Sequence, residues 1–138
     1  MKKITALSLL LVLAVTSFAW PPEQAGNSFE SFWQAFKAAV TKRDIETITR
    51  LSDFPIEMPY GFPMIRTKAQ LTKRYRQVFN QQTDAAACFA NAKPEKDDDK
   101  GKVFRVVCPD EGGAEVIVYY FVLTRTGWKF SSLDNINE

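Results

Sequence analysis

The chain has 138 residues, with 18 basic and 16 acidic side chains, no histidine and a net charge of +2. The absence of histidine removes the commonest general base and the commonest zinc ligand, which excludes a zinc hydrolase and a serine–histidine triad. The near balance of charge argues against a nucleic-acid partner, because proteins that bind nucleic acid present a basic face.

The N-terminal segment has the three-part pattern of a signal peptide. Lys2 and Lys3 precede an apolar run from Ile4 to Val15, and Thr16-Ser17-Phe18-Ala19 follows with a small residue at the cleavage point. We predict a signal peptide over residues 1–19, cleaved after Ala19, and therefore a periplasmic or secreted protein. The apolar run of about 12 residues is too short to cross a bilayer core, which needs about 20, so we expect no membrane insertion.

Removal of the predicted signal peptide would leave 119 of the 138 residues, with sixteen basic against sixteen acidic side chains. This length fits one domain. Pro21 and Pro22 predict an extended leader over residues 20–27. A single α+β domain is then expected over residues 28–138.

Helical periodicity dominates the first half of this domain. Apolar residues recur at helical spacing from Ser28 to about Lys42, which predicts a first helix with a broad apolar stripe. Asp44 can cap a second, short helix. Thr67 and Gln70 form a capping box, which predicts a third helix as far as about Asn80. The stripe of the first helix consists of Phe29, Phe32, Trp33, Phe36 and Val40.

Runs of β-branched and aromatic residues dominate the second half. They predict an antiparallel meander of four strands, over residues 86–92, 102–108, 114–124 and 128–136. The charged stretch 93–101 is typical of a hairpin tip, and the apolar run 114–124 is expected at the centre of the sheet. The fold class is therefore α+β, with three N-terminal helices packed on a mainly antiparallel sheet. Pro55 and Pro59 restrict the earlier segment 54–59 to a short edge strand.

The two cysteines, Cys88 and Cys108, both lie in the part predicted to be exported. An even pair in an oxidising compartment indicates a disulfide, with two free buried thiols as the alternative. Closing a loop of about 20 residues would stabilise the fold by roughly 3 kcal/mol. If the two cysteines face each other on antiparallel strands, the turn between those strands is centred near Asp98.

The order of these elements resembles the nuclear-transport-factor-2-like superfamily, which has a cone-shaped, cystatin-like α+β fold. The segments Gly61–Phe79 and Thr124–Phe130 are similar to the capped helix and the last hairpin of its members. The resemblance implies a curved sheet that wraps the first helix and leaves a pocket at the wide end of the cone. Because this fold hosts isomerases, dehydratases, ligand carriers and dimerisation modules, it does not select one activity.

The pocket that the resemblance implies would draw on residues of several elements. Its candidate pocket or binding residues are Trp33, Phe36, Glu57, Tyr60, Arg66, Tyr75, Arg105 and Tyr119. Glu57 and Arg66 flank the turn at Gly61, so they either enter the pocket or form a cross-strand ion pair. For isomerase-like chemistry a carboxylate base must lie beside a phenol. The side chains that could converge in that way are Asp53, Glu57, Tyr60, Tyr75, Tyr119 and Asp134.

Three surface features are alternatives to a pocket. The rim formed by Tyr60, Phe62 and Met64 is either a contact for a ligand or partner or a structural cluster. The basic residues Lys73, Arg74 and Arg76 either bind an acidic partner or anionic surface or form a solvated helix face. The three aspartates 97–99 lack the alternating spacing of a calcium loop, so we expect no metal and no cofactor.

We favour an exported, non-enzymatic binding module in which the cone pocket, or the exposed sheet face of a homodimer, engages a small apolar ligand or a protein. The second hypothesis is a proton-transfer enzyme that uses Asp or Glu as base and Tyr as donor. The third is an inhibitor or immunity-type protein of the bacterial envelope, which would bind its partner through the Tyr60–Met64 rim or the charged hairpin tip.

Overall fold

The computed structural model describes residues 28–137, and the predicted signal peptide and leader lie outside these residues. The first part of the described chain is mainly helical, and the second part supplies most strands of the sheet. They are, in chain order, α1 (Phe29–Lys42), α2 (Ile45–Arg50), β1 (Ser52–Glu57), α3 (Lys68–Lys73), α4 (Tyr75–Phe79), α5 (Ala85–Asn91), β2 (Glu95–Lys96), β3 (Val103–Pro109), β4 (Val116–Thr124) and β5 (Gly127–Asn135). The α+β class predicted from the sequence is confirmed.

Helix α1 forms where the periodicity predicts it. The Ser28 side chain caps it by accepting a hydrogen bond from the Ser31 amide at 3.1 Å. The helix ends at Arg43, whose φ of 55° lies in the left-handed region that terminates many helices. Most of its predicted stripe is buried, since Phe32, Trp33 and Phe36 are at most 2% exposed, whereas Phe29 is half-buried.

The predicted third helix is divided at Arg74 into α3 and α4. The capping box is present: the Gln70 amide donates to Thr67 Oγ1 at 3.2 Å, and the Gln70 side chain accepts from the Arg66 amide at 2.7 Å. Leu71 and Tyr75 are buried, as the spacing predicts. The break leaves the Arg74 side chain pointing back at the preceding hairpin, where it makes the contacts described below.

The strand predicted at residues 86–92 is wrong, because this segment is helix α5. Asp84 caps the helix by accepting a hydrogen bond from the Ala87 amide at 3.1 Å. Alanine, the residue type with the highest helix propensity, supplies four of its seven positions. The disulfide Cys88–Cys108 is confirmed, but it joins α5 to β3 and not two neighbouring strands.

The five described strands form one sheet in the order β1-β5-β4-β3-β2. β4 is central, as predicted, and pairs antiparallel with β3 and β5. β1 is an edge strand, as predicted, but it pairs parallel with β5. The charged stretch between the cysteines contributes the short edge strand β2, and the turn that follows is held by Asp98, whose Oδ1 accepts from the amides of Lys102 and Val103 at 2.8 and 2.9 Å.

The two faces of the sheet differ in character. On the inner face, Tyr119 and Phe121 of β4 contact rings of the helices, and both are fully buried. On the outer face, Val107 is 39% exposed, and Tyr120 is half-buried. The core therefore lies between the helices and the inner face.

Candidate functional site

The space between α1 and the inner face is filled by aromatic rings. The Trp33 ring lies 5.0 Å from that of Phe89 and 5.7 Å from that of Phe121, centroid to centroid. Phe36 lies 5.2 Å from Phe121 and 5.4 Å from Phe130. These separations are those of rings in direct contact. Trp33 and Phe36, predicted to line a pocket, are thus part of a packed core.

The two predicted tyrosines of the interior use their hydroxyl groups within the fold. Tyr119 donates to the Val78 carbonyl at 2.7 Å, and Tyr75 donates to the Val40 carbonyl at 3.0 Å. Burial raises the pKa of Tyr119 well above its usual value and also raises the pKa of Tyr75. Both phenols are therefore protonated at neutral pH, and each has a backbone carbonyl as the acceptor of its proton.

The carboxylates lie apart from these phenols. Asp53 and Glu57 on β1 are exposed, and Asp134 on β5 is half-buried in the outer-face register, opposite Val118. The buried polar residues of the described chain are Ser52, Thr83 and Asn135, with no Asp or Glu among them. Tyr75 and Tyr119 therefore lie in the interior and Asp53, Glu57 and Asp134 outside it, while the charge of Asp84 adds, after burial, to the raised pKa of both tyrosines.

The segment between β1 and α3 forms a tight hairpin. Ile56 and Ile65 pair as an antiparallel bridge, and the chain turns at Gly61, whose φ of 93° few side-chain-bearing residues adopt. In this register Ile56 and Ile65 face each other, and Glu57 and Arg66 are exposed with no ion pair between them in the described part of the chain. Both residues remain candidates for surface contacts.

The turn of the hairpin carries the predicted apolar rim. The rings of Tyr60 and Phe62 pack edge to face at 5.2 Å. Met64, 36% exposed, projects next to them. A groove of about 310 Å³ runs along the hairpin on one side of Met64, lined by Glu57, Met58, Pro59, Gly61, Phe62 and Met64.

A second groove, of about 410 Å³, lies on the other side of Met64. It is lined by Pro63, Met64, Gln70, Lys73, Arg74 and Gln77. Arg74 connects the two walls of this groove, because its Nη1 donates to the Pro63 carbonyl at 2.6 Å and its Nε donates to Gln77 Oε1 at 2.6 Å. The rim and the basic patch, which the sequence presents as separate features, are thus one continuous surface.

Arg105 lies on the outer face of the sheet, in line with Tyr120 on β4. Its guanidinium pairs with Glu95 at 3.4 Å and with Asp97 at 3.2 Å. Burial raises the pKa of Tyr120, with Asp97 and Asp134 adding to the effect. Arg105 is therefore placed outside the interior to which Tyr75 and Tyr119 belong.

A polar groove of about 470 Å³ lies beside the disulfide, where the start of α5 meets the turn between β3 and β4. Asp84, Cys88, Asp110 and Glu111 are among its lining residues. Sequence reasoning missed this groove, because its two walls are about 25 residues apart in the chain and come together only when α5 packs on β3. Among residues 28–137, no three acidic or cysteine side chains are grouped so as to hold a metal ion.

None of the helices in residues 28–137 has the length and apolar character required to cross a membrane. A scan against protein-family models gave no match, and a search of curated proteins gave none either.

Solved structures do match the chain. One is an NTF2-like protein with a cystatin-like fold from Novosphingobium aromaticivorans, 16% identical, with a TM-score of 0.42 over 75% of this chain and 76% of that one. A second is a candidate ketosteroid isomerase from Shewanella frigidimarina, 10% identical, with a TM-score of 0.45 over 79% and 95% of the two chains. A third is the hexachlorocyclohexane dehydrochlorinase LinA-type3 from Novosphingobium barchaimii, 14% identical, with a TM-score of 0.42 over 75% and 79%.

The first of these descriptions names the superfamily that the order of elements in the sequence resembles. Matches at these identities and TM-scores carry no information about activity.

Proposed function

We propose that this protein is a non-enzymatic binding module that recognises another protein through its surface. The observation that carries the proposal is the filled interior: Trp33, Phe36, Phe89, Phe121 and Phe130 are joined by ring contacts between the helices and the inner face, where the resemblance implies a pocket. A small apolar ligand in that position would have to displace buried rings, at a cost of several kcal/mol.

The arrangement of acids and phenols favours binding over proton transfer. A general base must come within hydrogen-bond reach of the proton that it removes. Tyr75 and Tyr119 are enclosed and hydrogen-bonded to carbonyl groups, whereas Glu57 is exposed on β1. An isomerase- or dehydratase-like mechanism would therefore need a rearrangement that exposes a phenol to a carboxylate.

The experiment that tests this proposal measures whether the interior accepts a ligand. The purified protein is examined by native mass spectrometry for a co-purified small molecule, and its thermal midpoint is followed during titration with benzene and indole. We expect the mass of the protein alone and an unchanged midpoint. A bound apolar molecule, or a midpoint that rises with probe concentration, would overturn the proposal, because a ligand that binds only the folded state stabilises it.

The exported location is part of the proposal. The disulfide between Cys88 and Cys108 supports an oxidising compartment, since glutathione and thioredoxin keep cytosolic thiols reduced. Mass spectrometry of the protein recovered from its native cell fractions tests this. Recovery of the chain without its first 19 residues from the periplasm or medium is expected, and an uncleaved cytosolic chain would contradict it.

We also propose that a second copy of the chain covers the outer face of the sheet. Val107, 39% exposed, lies there beside Val118, which is 2% exposed, in register with Asp134, and the neighbouring row holds Arg105 and Tyr120. A two-fold axis along β4 would lay the β3 side of one copy on the β5 side of the other, so that Val107 faces Asp134 and Arg105 faces Ser132. Such a self-complementary contact is the usual basis of a homodimer.

Sedimentation equilibrium tests the homodimer. The exposed Val107→Asp substitution places a carboxylate opposite Asp134 of the other copy, so it should convert the dimer to a monomer with little effect on folding. Ala38→Asp, on the exposed side of α1, is the matched control and should remain dimeric. A monomeric wild-type protein, or a Val107→Asp protein that remains dimeric, would rule out this interface.

A further inference from the structure

Basic residues are concentrated in one segment of a chain that is otherwise nearly balanced in charge. From Met58 to Thr83 the sequence has five basic residues and no acidic residue. The basic residues are Arg66, Lys68, Lys73, Arg74 and Arg76. This segment contains the hairpin turn, α3 and α4, so the charge is concentrated on one part of the surface.

Most of this charge is not neutralised within the fold. Lys68 forms an ion pair with Glu46. The other ion pairs of the described residues involve Arg105, so no carboxylate lies within 4.0 Å of the cationic groups of the remaining four. Lys73, which lines the second groove, and Arg76 are both exposed, the former at the end of α3 and the latter in the first turn of α4. Glu57, just before this segment, lines the first groove, so the surface is complementary to an anionic partner on the side of the second groove, where Lys73 lies.

The same surface has apolar concavities. Grooves of about 310 and 410 Å³ flank Met64 and share it as a common wall. Pro63 and the half-buried Phe62 contribute further apolar area. Each groove has room for one or two side chains, and methionine can adapt its shape to the side chains that enter.

Arg74 holds the grooves in place before any partner binds. Its three contacts reach across the surface: Pro63 and Gln77 accept its hydrogen bonds, and the Met58 sulfur lies 3.5 Å from Nη2. They tie the hairpin to the helical wall, so a partner does not have to order either of them. Preorganisation of this kind lowers the entropic cost of binding.

From this geometry we propose that the two grooves around Met64 and the cations beside them bind an acidic segment of a partner protein, in which apolar side chains alternate with carboxylates. Apolar side chains of the segment enter the grooves, and its carboxylates meet Lys73 and Arg76. The concave shape favours a peptide over a lipid surface, which a protein usually contacts through a projecting apolar face. The inference rests on the proposed function and names the class of partner.

Fluorescence anisotropy with a labelled peptide of about twelve alternating Glu and Leu residues tests this site. A peptide in which Lys replaces every Glu is the ligand control. We expect saturable binding of the acidic peptide, weakened by added salt, and no binding of the basic one. Absence of saturable binding by the acidic peptide, or equal binding of both, would overturn the inference.

Two variants assign the binding to this surface. Lys73→Glu/Arg76→Glu reverses the free charges and should weaken binding about tenfold or more. Lys93→Glu/Lys100→Glu makes the same change in charge at exposed positions of the hairpin that contains β2, and it should change affinity less than about twofold. Equal losses in the two double variants would show only an effect of net charge and would overturn the site.

A third variant separates the grooves from the charge. Met64→Ala keeps every cation but removes the wall that the grooves share, so it should weaken binding about three- to tenfold. The thermal midpoint of each variant is measured first, and affinities are compared only among variants whose midpoint equals that of the wild type. This excludes unfolding as the cause of weaker binding. An unchanged affinity in Met64→Ala would mean that the grooves are not used.

Vesicles with about 30% anionic lipid provide the competing result. The inference is wrong if the vesicles bind the wild type but not Lys73→Glu/Arg76→Glu, and the acidic peptide binds neither. In that case the surface recognises a membrane. Failure of the inference and failure of the proposed function are distinguishable. If the acidic peptide does not bind and no ligand enters the core, only the inference is wrong. If a ligand binds inside the core, the proposed function itself is wrong.

Discussion

Phe89→Ala tests whether the interior is as full as the structure indicates. Phe89 is the side chain through which α5 enters the core, and it is fully buried. Its ring lies 5.0 Å from those of Trp33 and Tyr119 and 6.2 Å from that of Phe36. Removal of the ring would leave these three neighbours facing a cavity.

The expected loss in the free energy of unfolding is about 3–5 kcal/mol. About 2 to 3 kcal/mol of this is the transfer of the ring itself from water, and the rest is the cost of the cavity. The value should lie toward the upper end, because the disulfide at the neighbouring Cys88 anchors α5 to β3 and limits collapse of the helix into the space.

Urea denaturation followed by tryptophan fluorescence measures this loss, since Trp33 and Trp128 are both buried. Phe62→Ala, at the half-buried hairpin turn, is the control and should cost about 1 kcal/mol, because no internal cavity results. Benzene should raise the thermal midpoint of Phe89→Ala and leave that of the wild type unchanged, as an engineered apolar cavity can bind it. A loss below about 1 kcal/mol, or equal stabilisation of both proteins by benzene, would refute the filled interior.

Three further predictions concern pH and the disulfide. Because the pKa of Tyr119 is raised in the fold, its contribution to stability is present below the ordinary tyrosine pKa and is lost as pH rises through the folded value. Above about pH 10 the free energy of unfolding of the wild type should therefore fall with pH more steeply than that of Tyr119→Phe, by about 1.4 kcal/mol per pH unit. Parallel curves of the free energy of unfolding against pH would contradict this. Replacement of Cys88 and Cys108 by Ala should lower the free energy of unfolding by about 3 kcal/mol in urea titrations, and an unchanged midpoint would disprove a stabilising role. For Asp98, desolvation raises the pKa but hydrogen bonds from backbone amides, led by that of Val103, outweigh it, so the net shift is downward from 3.8. The contribution of Asp98 to the free energy of unfolding is present above that value and lost as pH falls. Acid titration should therefore destabilise the wild type more than Asp98→Asn. An identical loss of stability in the two proteins at acid pH would refute this.

Local patterns predicted the elements where one pattern dominated. The aromatic spacing in Phe29–Lys42 and the capping box at Thr67 identified α1 and the start of α3, because periodicity and caps depend on residues within a few positions of each other. The strand predicted at residues 86–92 was wrong because the local pattern there is ambiguous. Their short apolar run fits either a strand or a helix, and the cap at Asp84 decides for the helix.

The candidate site was predicted only in pieces. The rim at Met64 and the cations at Lys73 and Arg76 were each recognised from the sequence, together with the alternative that each is merely structural. Their union depends on Arg74, whose hydrogen bond to Pro63 spans eleven positions of the chain. The one available signal was the lack of any acidic residue from Met58 to Thr83, which marks a charged surface but not its grooves.

By itself, the sequence determined the α+β class, the apolar face of each long element and the pair of cysteines that forms the disulfide, because these follow from composition and short-range periodicity. Only the tertiary structure decided that the rings of α1, α5, β4 and β5 fill the interior, and that the hairpin and α3–α4 form one grooved basic surface. Periodicity indicates which side of an element is apolar. It does not indicate which side chains meet across the core or whether their volumes leave a space.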